Sequence, residues 1–203
     1  MGLAEALTES DEALVARAVG GEAAAFEELV TRYQDRVFRL ACRLVGNDDE
    51  ALDVTQEALL QVFRGLASFR GDSRFGTWVY RVATNAALMY RRARARRPTE
   101  SLERFLPGFD RSGRHRGTPE ELQVATQVED RVDRERLGQH AMNAIARLPE
   151  THRVAFVLRD LEELTTDEVA EALGLKPATV RQRVHRARLM LRGYLSDIAG
   201  ERS

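Results

Sequence analysis

The chain has 203 residues, 43% hydrophobic and 31% charged, with a formal net charge of -1, enough for one or two small domains. Its first residues carry acids where a secretory signal needs cations, and no apolar run approaches the ~20 residues of a membrane span, so the expected location is cytoplasmic. A single cysteine excludes an internal disulfide, the four histidines lack metal-ligand spacing, and there is no phosphate loop, nucleophile elbow or acid-base pair, which argues against an enzyme, a metal or a cofactor.

Strand signals are nearly absent and apolar residues recur at three and four positions, which predicts an all-α fold. From Glu22 to Val45 the series Phe26, Leu29, Val30, Tyr33, Val37, Leu40, Ala41 and Leu44 reads as one long helix, stopped by Gly46 and Asn47. Cys42 falls in this apolar pattern as a small core residue. A second helix is predicted from Asp48 to Leu66, with Leu52, Ala58, Leu59, Val62, Phe63 and Leu66 on its buried side. The other side presents Asp49, Asp53 and Glu57, with Leu60 on the same azimuth and Gln56 beside it. Two readings of that face stand level. Early acids complement the helix dipole and a lone exposed leucine is ordinary; or Leu60 anchors an interface whose acids select a basic partner.

The stretch from Phe69 to Arg97 interleaves aromatics with arginines and ends in an arginine run. This composition suits unstacked bases beside a phosphate backbone. With Ser73 as N-cap, helical spacing gathers Phe75, Val79, Val82, Ala83 and Ala86 into a buried stripe, and Arg74, Arg81, Asn85 and Arg92 onto another side. Trp78 lies at the border, where an indole packs with one edge and offers a ring face to a ligand. The preceding loop supplies Phe69 and Arg70, a stacking surface and a cation suited to an extruded base. Arg91, Arg92, Arg94, Arg96 and Arg97 repel one another unless an anion compensates them.

Residues 98–128 change character, with Pro98, Pro107 and Pro119 alternating with Gly108, Gly113 and Gly117. They read as a linker of some thirty residues, able to span about 100 Å, more than the about 70 Å of two turns of duplex DNA. Phe105, Leu106 and Phe109 within it are expected to dock, on this chain or on a partner. Helical patterns resume from about Glu129 to Leu148 and from Glu150 to about Leu161. Thr165 and Glu168 then form a capping box, Val169, Ala170 and Leu173 face inward, Gly174 allows a sharp turn, and Pro177 opens a new helix. This is helix-turn-helix spacing. In its second helix Val180, Val184, Ala187 and Leu191 form the inner seam, while Ala178, Gln182 and His185 point outward, flanked by Arg181 and Arg186. Gln182 and the arginines can reach base edges in a major groove; Thr179, Arg183 and Arg188 suit backbone contacts or packing.

Charge follows the same division. Residues 1–60 carry five Lys or Arg against thirteen Asp or Glu, residues 61–97 nine against one, residues 98–175 ten against sixteen, and residues 176–203 seven against two. Two basic segments alternating with two acidic ones imply two anion-binding surfaces on a chain that also meets protein partners.

The stretches FEELVTRYQDRVFRLA, DEALDVTQEALLQVFRGLASFRGDSRFGTWVYRVATNA, LPETHRVAFVLRD and LTTDEVAEALGLKPATVRQRVHRARLMLR, with the arginine run, resemble in order the bacterial extracytoplasmic-function (ECF) sigma factors, in the minimal form with only regions 2 and 4. The resemblance implies two small helical domains, region 2 at 1–97 and region 4 at 129–203, joined by a flexible linker at 98–128. It implies that Asp49, Asp53, Gln56, Glu57 and Leu60 bind the clamp coiled coil of the β′ subunit of core RNA polymerase. Region 2 would then recognise and melt the minus-ten element, capturing a flipped base between the Ser68–Ser73 loop and Trp78, Arg81 and Asn85. Region 4 would place its second helix in the minus-thirty-five major groove of promoter DNA while its earlier helices hold the β flap. An anti-sigma factor is the regulator that the family suggests. Leu52, Met89 and Lys176 depart from the pattern common among relatives. The rival reading is a stand-alone helix-turn-helix regulator that binds duplex DNA without polymerase.

Overall fold

Every described element of the computed structural model is helical; the model describes residues 9–96, 138 and 140–200, and side chains as far as 196. The 98–128 linker, its Phe105, Leu106 and Phe109, and the helical start at Glu129 lie outside the described residues, as does Arg97.

Helix α1 (Asp11–Val19) did not emerge from the sequence patterns, although Ser10 caps it by accepting the Ala13 N–H at 3.2 Å and Asp11 and Glu12 occupy its first turn. It buries Leu14 and Val15 and is tied to α2 (Ala23–Val45): Tyr33 donates its hydroxyl proton to Asp11, and the Arg32 guanidinium donates to the same carboxylate at 3.1 Å. Helix α2 runs as expected, burying Leu29, Tyr33, Val37, Leu40, Ala41 and Leu44. Fully burying a leucine contributes roughly 1.5–3 kcal/mol, and Leu40 and Leu44 have no exposed surface. Gly46, at φ 80°, ends α2 in the left-handed region where a Cβ would be strained, and Asn47 starts the next helix by accepting the Glu50 N–H at 3.1 Å. Cys42 is half-buried and donates to Asp48, and burial pushes its thiol up to about 11.

Helix α3 (Asp48–Leu66) and helix α4 (Phe75–Arg96) complete the first unit, each packed on α2 and on the other. Two expectations need correction here. Leu52 and Phe63, assigned to the buried side of α3, are 51% and 60% exposed, because α2 and α4 cover only the Ala51, Val54, Thr55, Ala58, Val62 and Leu66 face. Ser73 is not the N-cap of α4: the helix starts at Phe75, and it is the Arg74 carbonyl that accepts the Trp78 N–H, at 3.1 Å.

The second unit contains α5 (140–147), α6 (Glu150–Phe156), α7 (Thr166–Leu173) and α8 (Pro177–Gly200). The helix expected to reach Leu161 as regular α changes at Val157 into a π turn, Val157–Leu161. Two residues on, Glu163 is held at φ 59°, a left-handed conformation rare outside glycine, Asn and Asp. Thr165 and Glu168 form the reciprocal capping box, Gly174 turns the chain at φ 63°, and Pro177 opens α8. Val169 and Ala170 on α7 pack with Val180, Val184, Ala187 and Leu191 on α8, and Arg188 clasps Asp160 through two hydrogen bonds of 2.7 Å.

The two units meet along a polar seam. Arg153 of α6 is buried, donating at 3.4 Å to the Leu44 carbonyl at the C-terminal end of α2 and at 3.1 Å to Leu148. Glu162, its side chain only 4% exposed, pairs with Arg43 of α2 and accepts the Tyr80 hydroxyl of α4 at 2.9 Å. Arg91 lies 3.3 Å from Glu150, and Arg74 lies 3.3 Å from Glu168.

The capping box carries a pH signature. The Thr165 backbone N–H, then its hydroxyl, hold the Glu168 carboxyl below its ordinary value. Its stabilisation is therefore complete above the carboxylate's unfolded pKa and disappears as pH falls through the lower folded value. Replacing Thr165 by Ala is expected to cost about 1 kcal/mol at neutral pH, read as a lower urea midpoint, with the deficit shrinking in acid. A deficit of equal size at both pH values would contradict the assignment.

Candidate nucleic-acid and partner interfaces

The loop between α3 and α4 folds over an aromatic cluster. Phe75 is buried and meets Tyr33 edge-on with ring centroids 5.4 Å apart, Trp78 at 5.7 Å and Phe69 at 5.7 Å; Phe69 and Trp78 are themselves 5.1 Å apart. Phe75 is thus a core residue. Trp78, 9% exposed, is held more deeply than a border position would suggest, yet its ring lines a cavity of about 130 Å³ with Ser68, Phe69, Arg70, Asp72, Ser73 and Arg81. Close helix approach creates this position: a Cβ on Gly65 would lie 3.0 Å from the indole. The cavity has one further wall, Glu171 of α7.

Arg81, Asn85 and Arg92 are exposed along one side of α4, and Met89, 63% exposed, lies among them. Arg70 and Arg74 are exposed at its start, although Arg74 already meets Glu168. Arg91 is less available: it is partly buried beside Glu150. The expected arginine run is therefore partly compensated by the chain's own acids, and Arg94 also pairs with Glu50 of α3.

On α8, Ala178, Arg181, Gln182, His185 and Arg186 are exposed while Thr179 and Arg183 are partly covered. One surface of the helix is thus free of the inner seam and rich in donors. His152 of α6 belongs to its surroundings: burial, followed by the charges of Arg186 and Arg183, lowers its pKa.

The α3 face is broader than its acids suggested. Asp49, Asp53, Gln56 and Glu57 are exposed as expected and Leu60 is 48% exposed; Leu52 and Phe63 join them. At 3.6 residues per turn, Leu52 and Phe63 form one border of the face, Asp53 and Glu57 the other, and Gln56 and Leu60 lie between. Three exposed apolar residues on one face form a patch of the kind that marks interaction sites. Sequence periodicity assigned the two outer ones to the core, so the only prior signal was Leu60.

Residues 29–97 match the family model described as Sigma-70 region 2, and residues 140–191 match the one described as Sigma-70, region 4. The helical units and their motifs define a two-region sigma-type protein. The chain is similar to the ECF RNA polymerase sigma-E factor of Escherichia coli strain K12, 39% identical over 190 residues that cover 92% of this chain and 93% of the relative. It is also 37% identical to the ECF RNA polymerase sigma-E factor of Haemophilus influenzae, over 202 residues covering 97% of this chain and all of the relative. The fold resembles that of CnrH, solved in complex with the cytosolic domain of CnrY, with a TM-score of 0.66, 22% identity and coverage of 93% of this chain and 99% of that one. The chain belongs to the ECF sigma factors: it is an alternative RNA polymerase sigma factor, and the rival of a stand-alone duplex-binding regulator is not favoured. Among the described residues, no helix is long and apolar enough to cross a membrane, and no cluster of His, Cys, Asp or Glu could hold a metal ion.

Substituting Gly65 by Ala tests how the indole is held. The gain in helix propensity is about 0.5–1 kcal/mol, whereas forcing a methyl group against a packed ring costs about 1–3 kcal/mol. Phe69 and Phe75 pack on Trp78, so displacing the ring disturbs both contacts and the clash is expected to win, with a net loss of stability and a changed emission from the single tryptophan. A stabilised variant with unchanged emission would refute the packing argument.

Proposed function

We propose that the chain acts by binding rather than catalysis, as a cytoplasmic initiation factor in which each face described above meets one partner. Residues 1–97 form the unit that binds core polymerase and the minus-ten element, residues 129–203 form the minus-thirty-five reader, and 98–128 link them. On α3, Asp49, Asp53, Gln56, Glu57 and Leu60 dock on the β′ clamp coiled coil, and Leu52 and Phe63 extend that contact. An apolar patch bordered by acids fits a partner that is itself apolar and basic.

The observation that carries the DNA reading is the Phe69–Trp78 cavity with Arg70 and Arg81 at its walls. Extruding a base costs a few kcal/mol, and stacking on an aromatic ring returns ~1–3 kcal/mol, so melting is offset where pocket and arginines act together. Arg74, Asn85, Arg91 and Arg92 extend this surface along α4 toward the backbone of the opened strand. Ala178, Thr179, Arg181, Gln182, His185 and Arg186 of α8 face the intact duplex, with Arg181 and Gln182 reading base edges and the others setting position. The earlier helices of the second unit hold the β flap, and an anti-sigma factor regulates the whole.

A gel shift with and without core polymerase tests the main claim: specific promoter binding is expected only with core enzyme, and equal binding without it would revive the stand-alone regulator. Trp78→Ala and Asn85→Ala are expected to slow open-complex formation while core binding persists. Equal loss of both would remove them from the base pocket. Gln182→Ala or Arg181→Ala should cost ~1–3 kcal/mol and relax preference at one upstream base pair. Uniform weakening on every sequence would make them phosphate contacts instead.

A further inference from the structure

The cavity assigned to the flipped base is walled on one side by the second unit of the same chain. Glu171 of α7 forms one of its walls, and one turn earlier on the same helix Glu168 reaches Arg74 at 3.3 Å. Both carboxylates therefore stand beside cations that a nucleic-acid strand would approach with its phosphates. The helix that carries them is packed on α4.

What keeps α7 there lies outside the cavity. Just before α7, the π turn Val157–Leu161 and the left-handed Glu163 bracket Glu162, whose carboxylate is buried between Arg43 and the Tyr80 hydroxyl, 2.9 Å away. A neighbouring cavity of about 410 Å³, lined by Asp11, Arg36, Arg74, Glu162 and Glu168 as well as by Phe75, Tyr80 and Leu164, follows the seam and leaves open space beside these polar contacts. Such a contact is separable. The carboxylate, guanidinium and phenol all regain water when the units part, and the desolvation cost of a buried pair largely offsets its attraction. Polar interfaces of this kind between domains allow relative motion.

We propose that in the free chain α7 is an intramolecular competitor of the opened DNA strand: Glu168 and Glu171 occupy its phosphate and base approaches, and Glu162 is the latch that holds them in place. The recognition surface of α8 is exposed in the same arrangement. The closed chain therefore hides the single-strand site while leaving the duplex reader uncovered. The assignment of the competed ligand rests on the base-pocket reading above; the closure itself does not.

The test uses the full chain without polymerase. Trp78 is the sole tryptophan, so acrylamide quenching of its fluorescence reports whether the cavity is covered. Glu162→Ala removes the latch without touching a residue of the cavity, and Tyr80→Phe removes one of its hydrogen bonds. Binding is followed by the anisotropy of a fluorescein-labelled single-stranded oligonucleotide of mixed sequence, and of the duplex of that sequence. For Glu162→Ala we expect stronger quenching and about tenfold tighter single-strand binding, the factor recovered when an open population of one in ten becomes dominant. Duplex binding should change little, and Tyr80→Phe should move the same readings less far. If circular dichroism shows that Glu162→Ala loses helix, Tyr80→Phe alone decides. Unchanged quenching in a folded variant would overturn the proposal, as would equal tightening on single strand and duplex, which would reflect only the lost negative charge. Stronger quenching without tighter single-strand binding would uphold the closure and instead refute the base-pocket reading.

Discussion

The arrangement of the molecule depends on one buried carboxylate. Glu162 lies where the second helical unit meets the first, almost without solvent, and its two partners come from different helices of the first unit, Arg43 on α2 and Tyr80 on α4. Burial, then the nearby charge of Glu162, raises the Tyr80 phenol well above its ordinary range, so it remains a donor. Arg153 makes the complementary contact at the other end of the seam, placing a cation on the carbonyl end of α2, where the helix dipole favours it. Burial is the main force lowering its pKa, followed by the charge of Arg91. Neither contact resembles the apolar interior of either unit. They tie the second helical unit to two different helices of the first through buried polar groups.

Within the first unit, α4 has two tasks that compete for the same residues. Its buried side fills the space against α2 and α3 with Phe75, Val79, Ala83 and Ala86, while Trp78 near its start also lines a cavity. Glycines at the closest approaches reconcile the two. Gly65 lets α3 come near enough to support the Trp78 ring from behind, and a Cβ at Gly76 would stand 2.8 Å from the Tyr33 hydroxyl that holds α1 in place. The ring face toward the cavity is thus presented by a rigid helix on a packed base, and a rigid site loses less entropy on binding.

What could be read from the chain in advance was mostly local. The Thr165–Glu168 box, the turn at Gly174 and the start at Pro177 are governed by neighbours within a few residues, and each lies where spacing put it. The same holds for Gly46, while Asn47 serves as cap for the next helix rather than as a stop. Long-range facts were not legible. Helical periodicity gives the azimuth of Leu52 and Phe63 but not how many neighbours surround α3, which among the described residues packs mainly on α2 and α4 and leaves this side in water. Nothing near Glu162 in sequence predicts Arg43 or Tyr80, 119 and 82 residues away. Of the candidate site, outward-facing positions on α8 and α4 were recoverable from period alone. The pairing of Arg74 and Arg91 with glutamates of the other unit was not.

The uncovered α3 face follows from the same economy of neighbours. Leu52, Leu60 and Phe63 are 51%, 48% and 60% exposed on one side of α3. Asp49, Asp53 and Glu57 lie beside them, with Asp53 and Glu57 on the opposite border of the face, and like charge there disfavours pairing with a second copy of the same face. A surface built this way discriminates by repulsion as much as by fit. The acids that make the face look like an ordinary solvated helix therefore stand beside exposed leucines, a pairing that suits a basic partner better than a second copy of this chain.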